Sequence, residues 1–421
     1  MITMNVRLFT RSDVLSSLSM NHKAQIPELY VVRALAIIGV LLVHVSSVPV
    51  GIIADKSSIM FMFFNFLNIF NRYGTTTFIF LSAFVLFYRY YEKPISGKLL
   101  MSFYKRRLLY IGIPYVIFSI LYYVIQMYYS YGETWHQFVQ AASVIGFLKM
   151  LALGKSFYHL YFVFINIQFY LLFPLLLLLL QYKRNLTKHL IWIGFLLQWA
   201  FIIYNYYSLN YADKGQLAIS YTSNYFLGAY FGIYYSSLME WLVVTRKKLM
   251  SLKAVFWVLL GSVWLLASFA DVYMFYWARK NGTIFNPLLY ELVWNLHTIT
   301  AGLVLLQLAN LIYRKLSPPL VNIMLQLGIA SFGIYIIHAG ILFYYYRISV
   351  SYSPLIYSVY VAAAFVVTFA LSWIIVSFIQ KQSRLAWMLF GAAPKISPYI
   401  EWKSTNIAKR TKLSLPVSKQ G

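Results

Sequence analysis

The chain of 421 residues has no cysteine, which excludes disulfides, thiolate zinc sites, iron–sulfur clusters and an acyl-cysteine intermediate. Acids are almost as scarce: ten Asp and Glu stand against 35 Lys and Arg, giving a formal net charge of +25. Charged residues of both signs make up only 11% of the chain, where a soluble protein carries about a quarter. Signatures of soluble enzymes are also missing: there is no Walker phosphate loop, no GxGxxG opening a βα unit, no GxSxG elbow and no HExxH. What is present is apolar. Hydrophobic residues are 61% of the chain, and its 38 Tyr and 11 Trp suit the boundary where a bilayer meets water. The composition implies an all-α, polytopic membrane protein.

A spanning helix needs about 20 mostly apolar residues. Ten segments qualify: 29–52, 73–91, 108–130, 158–181, 188–209, 216–239, 252–277, 287–313, 320–345 and 354–380. When each Lys and Arg is assigned to the connection it borders, 27 fall on the side of the termini and 8 on the other. Cytoplasmic loops hold the excess of cations, so both termini are expected in the cytoplasm. The organisation expected is a cytoplasmic segment 1–27, a ten-helix domain 28–380 and a basic cytoplasmic tail 381–421. The stretch 1–25 lacks the apolar block of a cleavable signal, so the first span should remain in place. The apolar stretch 138–153 is too short to span and is expected at the interface or re-entrant. A charge of +25 might suggest nucleic acid, but its sorting by loop reports topology instead, and the basic tail suits anionic lipid headgroups.

Ionisable residues at bilayer depth are costly and therefore informative. Arg33 and His44 lie in VVRALAIIGVLLVHVSS. At ~100° and 1.5 Å per residue, their separation puts them on one helix face ~16 Å apart, one near the inner boundary and one beyond mid-membrane. The ordinary alternative is an Arg reaching headgroups and a His hydrogen-bonded inside the bundle. Ser331, Tyr335 and His338 share a face of the ninth segment. Asp271 and Glu291 offer the only carboxylates in reach of a span's outer half, and either also fits a simple interfacial position. His159 and Asn166 open the fourth segment. Lys105, Arg106 and Arg107, in YKRRLLYIGIPY, fit a phosphate clamp or plain topology.

Taken together these residues resemble the membrane acyltransferase 3 family, the O-acylases of cell-surface glycans. Arg33 and His44 look like its first-helix signature. Gly74 to Phe84 (GTTTFIFLSAF) resembles the second-helix motif, and YKRRLLYIGIPY the basic segment before a Pro-containing third helix. HLYFVFINIQFYLLFPLL from His159 and SFGIYIIH ending at His338 resemble the fourth-helix and late motifs. Three positions depart from the pattern: Ala83 in place of the usual Gly, Tyr161 in place of Trp, and Tyr110 in place of the second loop Arg.

The resemblance implies transfer of an acyl group, usually acetyl, from cytoplasmic acyl-coenzyme A to a hydroxyl of an extracytoplasmic glycan or lipid-linked sugar. It makes His44 the catalytic histidine with Arg33 as its partner, and sets Arg33, Lys105, Arg106 and Arg107 toward acyl-coenzyme A, a co-substrate rather than a resident cofactor. Glu291, Asp271 or His338 would orient the His44 imidazole, and His159, Tyr335 and Asp271 would face the acceptor. No metal is expected. The implied setting is a bacterial plasma membrane, with membrane lipids, the acceptor and a separate extracytoplasmic transferase as partners. An exporter or flippase of a polysaccharide or lipid-linked sugar is the competing reading, although two related halves with matching broken helices are not seen. A structural scaffold would not need Arg33 and His44 on one face.

Overall fold

The computed structural model describes residues 24–131, 142–242, 252–350 and 353–392, with the single residues 134, 136, 137, 139, 394 and 398–400. These residues are helical and contain no strand. The first helix, α1, is Glu28–Ile52, followed by a short α2 (Ile59–Phe70) and by α3 (Tyr73–Tyr90). The third crossing is α4 (Gly97–Arg107) joined through a π turn, Leu108–Gly112, to α5 (Ile113–Tyr131). Then come α6 (Val144–Leu153), α7 (Tyr161–Tyr182), α8 (Leu190–Tyr204), α9 (Thr222–Leu242), α10 (Leu252–Asn281), α11 (Pro287–Lys315), α12 (Pro318–Tyr345), α13 (Pro354–Gln382) and a short α14 (Ala386–Phe390).

All ten expected spans are thus helical. Eight are long and apolar enough to cross a membrane. The other two, α3 and α9, are long enough but more polar, because they pack against each other inside the bundle and meet protein instead of lipid. With no hydrophobic gain from leaving lipid, such contacts rely on close packing between small residues. A Cβ on Gly228 would stand 2.1 Å from the Phe80 carbonyl oxygen, and one on Gly232 2.4 Å from that of Phe84. The pairs 80/228 and 84/232 rise together, so α3 and α9 are parallel. Likewise Gly328 meets Tyr30, Ser331 meets Arg33 and His338 meets His44, so α1 and α12 are parallel. Ser82 with Tyr170, then Tyr91 with Leu180, make α3 and α7 parallel too. By contrast Gly74 packs on Ala36 while Tyr88 reaches Ala24, so α1 and α3 are antiparallel. Parallel first and ninth spans, and parallel second, fourth and sixth spans, are what ten alternating crossings produce.

Two of the prolines inside helices are accommodated in visible ways, as a bilayer favours. Pro49 denies an N–H to the Val45 carbonyl, and the Tyr346 hydroxyl donates to that oxygen at 2.5 Å. Pro114 cannot donate to Tyr110, and the backbone widens just before it into the π turn, where Ile113 N–H reaches back to Leu108.

Three features were not expected. The 12-residue α2 lies in what the sequence suggested was a plain connection; Ser58 caps it, accepting from Phe61 N–H at 3.2 Å. Its apolar run is too short to span, so a length criterion passes over it. The polar start of the sixth segment is 3-10 turn up to Tyr221, and the helix proper begins at Thr222. After Gln382 the chain folds back: Ala386 and Phe390 are buried, and Asn322 and Ile400 exchange two hydrogen bonds. The short helix Val144–Leu153 falls within the stretch expected not to span. Residues 1–23 and 401–421, including most of the N-terminal segment and the end of the basic tail, lie outside the described residues.

Candidate active site

The parallel pair α1 and α12 sets the site. Their closest approach is at Gly328, where a Cβ would meet the Tyr30 carbonyl oxygen at 1.9 Å, so only glycine admits the neighbouring backbone. Just beyond, Arg33 Nε donates to Ser331 Oγ at 3.1 Å. About three turns further, the His44 ring lies 5.2 Å from that of His338 and 5.0 Å from that of Tyr158. His159 lies 5.3 Å from His338, so ring contacts run in a row from His44 on α1 through His338 on α12 to His159 just before α7.

Hydrogen bonds assign the two buried imidazoles. His338 Nδ1 is 2.6 Å from the Tyr335 carbonyl oxygen and 3.2 Å from that of Ile334. A carbonyl only accepts, so Nδ1 carries the proton and Nε2 keeps its lone pair. That Nε2 is buried and has no hydrogen-bond partner among the described residues. His159 is the mirror case: Nε2 donates to the Ile336 carbonyl at 3.2 Å and Nδ1 is left as a buried, unpartnered acceptor. The His338 ring beside His44 therefore keeps a free Nε2 lone pair, and the His159 ring beside His338 a free Nδ1 lone pair. Tyr335 donates from its hydroxyl to the His159 carbonyl, which ties α12 to the α7 start.

A tyrosine inserted into α12 holds His338 in place. Tyr122 on α5 donates to the Ile336 carbonyl at 2.7 Å and accepts from Gly340 N–H at 3.0 Å. The hydroxyl thus bridges the Ile336 carbonyl and the Gly340 N–H on either side of His338. Gly340 permits it: a Cβ there would stand 3.2 Å from the Tyr122 oxygen.

At the Arg33 end, Tyr170 links the basic segment to the α1 face. The Arg107 guanidinium lies 4.8 Å above the Tyr170 ring, whose hydroxyl is 3.1 Å from Ser82 Oγ and within electrostatic reach of Arg33. Arg107 faces inward, whereas Lys105 and Arg106 are exposed and Arg106 folds back onto Ser102 at 2.7 Å. Arg33 and Arg107 thus share one neighbourhood, and the other two cations do not.

Two carboxylates expected near His44 lie elsewhere. Glu291 pairs with Lys214 at 2.6 Å. Asp271 Oδ2 is 3.2 Å from His297 Nδ1, and its Oδ1 is 3.9 Å from Arg72. Neither orients the His44 imidazole; His338 alone of the three candidates adjoins it. The physical reason is register. The hairpin of α10 and α11 brings residues equidistant from 284 together, which joins 271 to 297. His297 was missed, although that spacing would have found it. Tyr122, Tyr158 and Arg72 were also missed, and a tyrosine among so many carries no local mark.

His44 opens into a cavity of about 150 Å³ lined by Val40, Val43, Asn71, Arg72, Gly74, Thr75, Thr76, Tyr161, Tyr221 and Trp294. The His44 imidazole thus lines an open cavity and adjoins His338, inside a bundle of apolar helices that makes this a multi-pass membrane protein.

The family model described as an acyltransferase domain, that of acyltransferase family 3, matches residues 26–377. The chain belongs to this family and is an acyltransferase by membership. No curated protein and no solved structure matches it.

Proposed function

We propose that the protein is an O-acyltransferase of the bacterial cell membrane, taking an acyl group, acetyl in the simplest case, from cytoplasmic acyl-coenzyme A and placing it on a hydroxyl of an extracytoplasmic glycan or lipid-linked sugar. The observation that carries this reading is the shared face of α1, with Arg33 and His44 ~16 Å apart, each meeting α12, at Ser331 and at His338. A guanidinium at one end suits coenzyme A phosphates, which cannot enter the bilayer cheaply. The thin pantetheine arm then reaches along the face and presents the thioester at the other end. Arg107 supplements Arg33 in holding phosphate, and Lys105 and Arg106 draw the anion from solution. The count of cations by loop supports placing the Arg33 end in the cytoplasm.

In this scheme His44 acts as general base. Its free nitrogen takes the proton of the acceptor hydroxyl as the oxygen attacks the thioester carbonyl; the new C–O bond forms, the C–S bond breaks, and the proton passes to the departing thiolate. His338, whose ring adjoins that of His44 at 5.2 Å, is the neighbour placed to orient it. A neutral histidine in that role avoids the desolvation that a buried carboxylate would incur. His159 and Tyr335 fix the α7 start against α12, so they position the site rather than take part in transfer. The exporter reading has no specific feature in its favour within an acyltransferase family. A separate extracytoplasmic transferase remains part of the proposal as the step that passes the acyl group to a polymer.

The test is reconstitution in liposomes with labelled acetyl-coenzyme A supplied on the Arg33 side and sugar acceptors on the other. Label on the acceptor in wild type, and a loss of about 10²–10⁴-fold in His44→Ala with the fold intact, is the expected result. Wild-type transfer by the His44→Ala protein refutes the assignment.

A further inference from the structure

The cavity beside His44 holds a cation that the proposed chemistry does not use. Arg72 is the only Lys or Arg lining it, and no Asp or Glu lines it among the described residues. Its charge is incompletely met. The nearest carboxylate oxygen, Asp271 Oδ1, is 3.9 Å away, beyond hydrogen-bond distance, and the other oxygen of that group is taken by His297. Arg72 Nη1 is buried with no hydrogen-bond partner among the described residues. The flat of the guanidinium lies 4.7 Å from the Phe275 ring, which fixes its orientation without neutralising it. Nearby Arg279 adds a second positive charge, because its fork is bound to the neutral amide oxygens of Asn65 and Asn68 at 2.7 and 2.8 Å. Two guanidinium groups therefore face one buried carboxylate, and the Arg72 side chain keeps 34% of its surface accessible, so its charge is open to a ligand.

The rest of the lining fits a sugar. Tyr161, Tyr221 and Trp294 give apolar faces, the last two edge to face at 5.8 Å, while Asn71, Thr75 and Thr76 add polar groups. A volume of about 150 Å³ equals roughly five waters, enough for the reacting edge of one sugar ring and not for a chain.

The geometry points to an acceptor subsite for a sugar that carries a negative charge, a carboxylate or a phosphate, with that group on Arg72 and the reactive hydroxyl on His44. This rests on the acyl-transfer reading for the identity of the reaction, but the binding it predicts does not require transfer. The test is therefore titration of the full chain in nanodiscs, without any acyl donor, by isothermal calorimetry. The probes are methyl glucuronide, glucose 6-phosphate and methyl glucoside. The charged probes should bind at least tenfold tighter than the neutral one, the preference should shrink with added salt, and Arg72→Gln should erase it while leaving methyl glucoside unchanged. Arg72→Lys should keep part of it, which guards against a variant that merely fails to fold. The two charged probes tell carboxylate from phosphate. Equal affinity for charged and neutral sugars, or a preference that survives Arg72→Gln, overturns the subsite. Charge-selective binding that persists while no acyl-coenzyme A supports transfer would instead overturn the acyl-transfer reading and leave the subsite standing.

Discussion

Replacing Tyr122 by Phe removes one oxygen from the wall of the bundle and tests whether the bridged segment of α12 matters for chemistry. That oxygen donates to the Ile336 carbonyl and accepts from Gly340 N–H, so two hydrogen bonds are lost. Ile336 keeps its bond from His159. Gly340 N–H loses its hydroxyl partner, at a cost of about 1–3 kcal/mol where nothing replaces it. A thermal melt in detergent should accordingly show a loss of about 1–3 kcal/mol. Loss of the bridge removes the tie that holds the segment carrying His338, which sits between the two bridged residues, against α5. The turnover rate should then fall by more than tenfold while the KM for acyl-coenzyme A, bound at the far end, stays the same. Tyr123→Phe is the internal control. Its hydroxyl also makes two bonds, donating to the Ser143 carbonyl and accepting from Ser143 N–H, both at 3.1 Å, but away from the histidine row. It should lower stability similarly and leave the rate intact. Equal rates for Tyr122→Phe and wild type, or equal losses of rate in the two variants, would refute the argument.

Other outcomes follow from the same contacts. Tyr346→Phe leaves the Val45 carbonyl, already without its helical donor because of Pro49, unsatisfied and should cost about 1–3 kcal/mol; in a Pro49→Ala background the cost should largely vanish, as a double-mutant cycle would reveal. Gly228→Ala drives a methyl onto the Phe80 carbonyl and should reduce folded yield in detergent by at least about 1–3 kcal/mol of stability, whereas Gly261→Ala, with nothing within 4 Å, should be neutral or slightly stabilising. Asp271→Asn and Glu291→Gln should lower the melting temperature yet leave the pH dependence of transfer in place, since neither acid adjoins His44. His338→Ala should change that pH dependence; a profile unaltered by its loss would remove it from the site.

Much of this molecule is legible along the chain because it depends on one helix at a time. Apolar length marks all ten crossings, eight of them by the stricter measure of helix length and hydropathy, and periodicity alone sets Arg33 and His44 on a single face. Where reading the chain went astray, the deciding contact joins distant helices. Asp271 and Glu291 looked like orienting acids because carboxylates usually fill that role, but Asp271 is matched by hairpin register to His297, and Glu291 is paired with Lys214. Short α2 stayed hidden because its apolar run is below a bilayer's thickness, although it supplies the two Asn that hold Arg279.

Composition and period decide membership of the bilayer and the face a side chain takes, since both follow from transfer energies and a fixed rise per residue. They also carry the motifs that mark the family. Which imidazole stands beside His44, which nitrogen it keeps free, and which cation lines the cavity are matters of packing between helices hundreds of residues apart. Gly328 and Gly340 contribute by what they lack, letting the α1 backbone and the Tyr122 hydroxyl approach α12 closely on either side of the segment that presents His338 to His44.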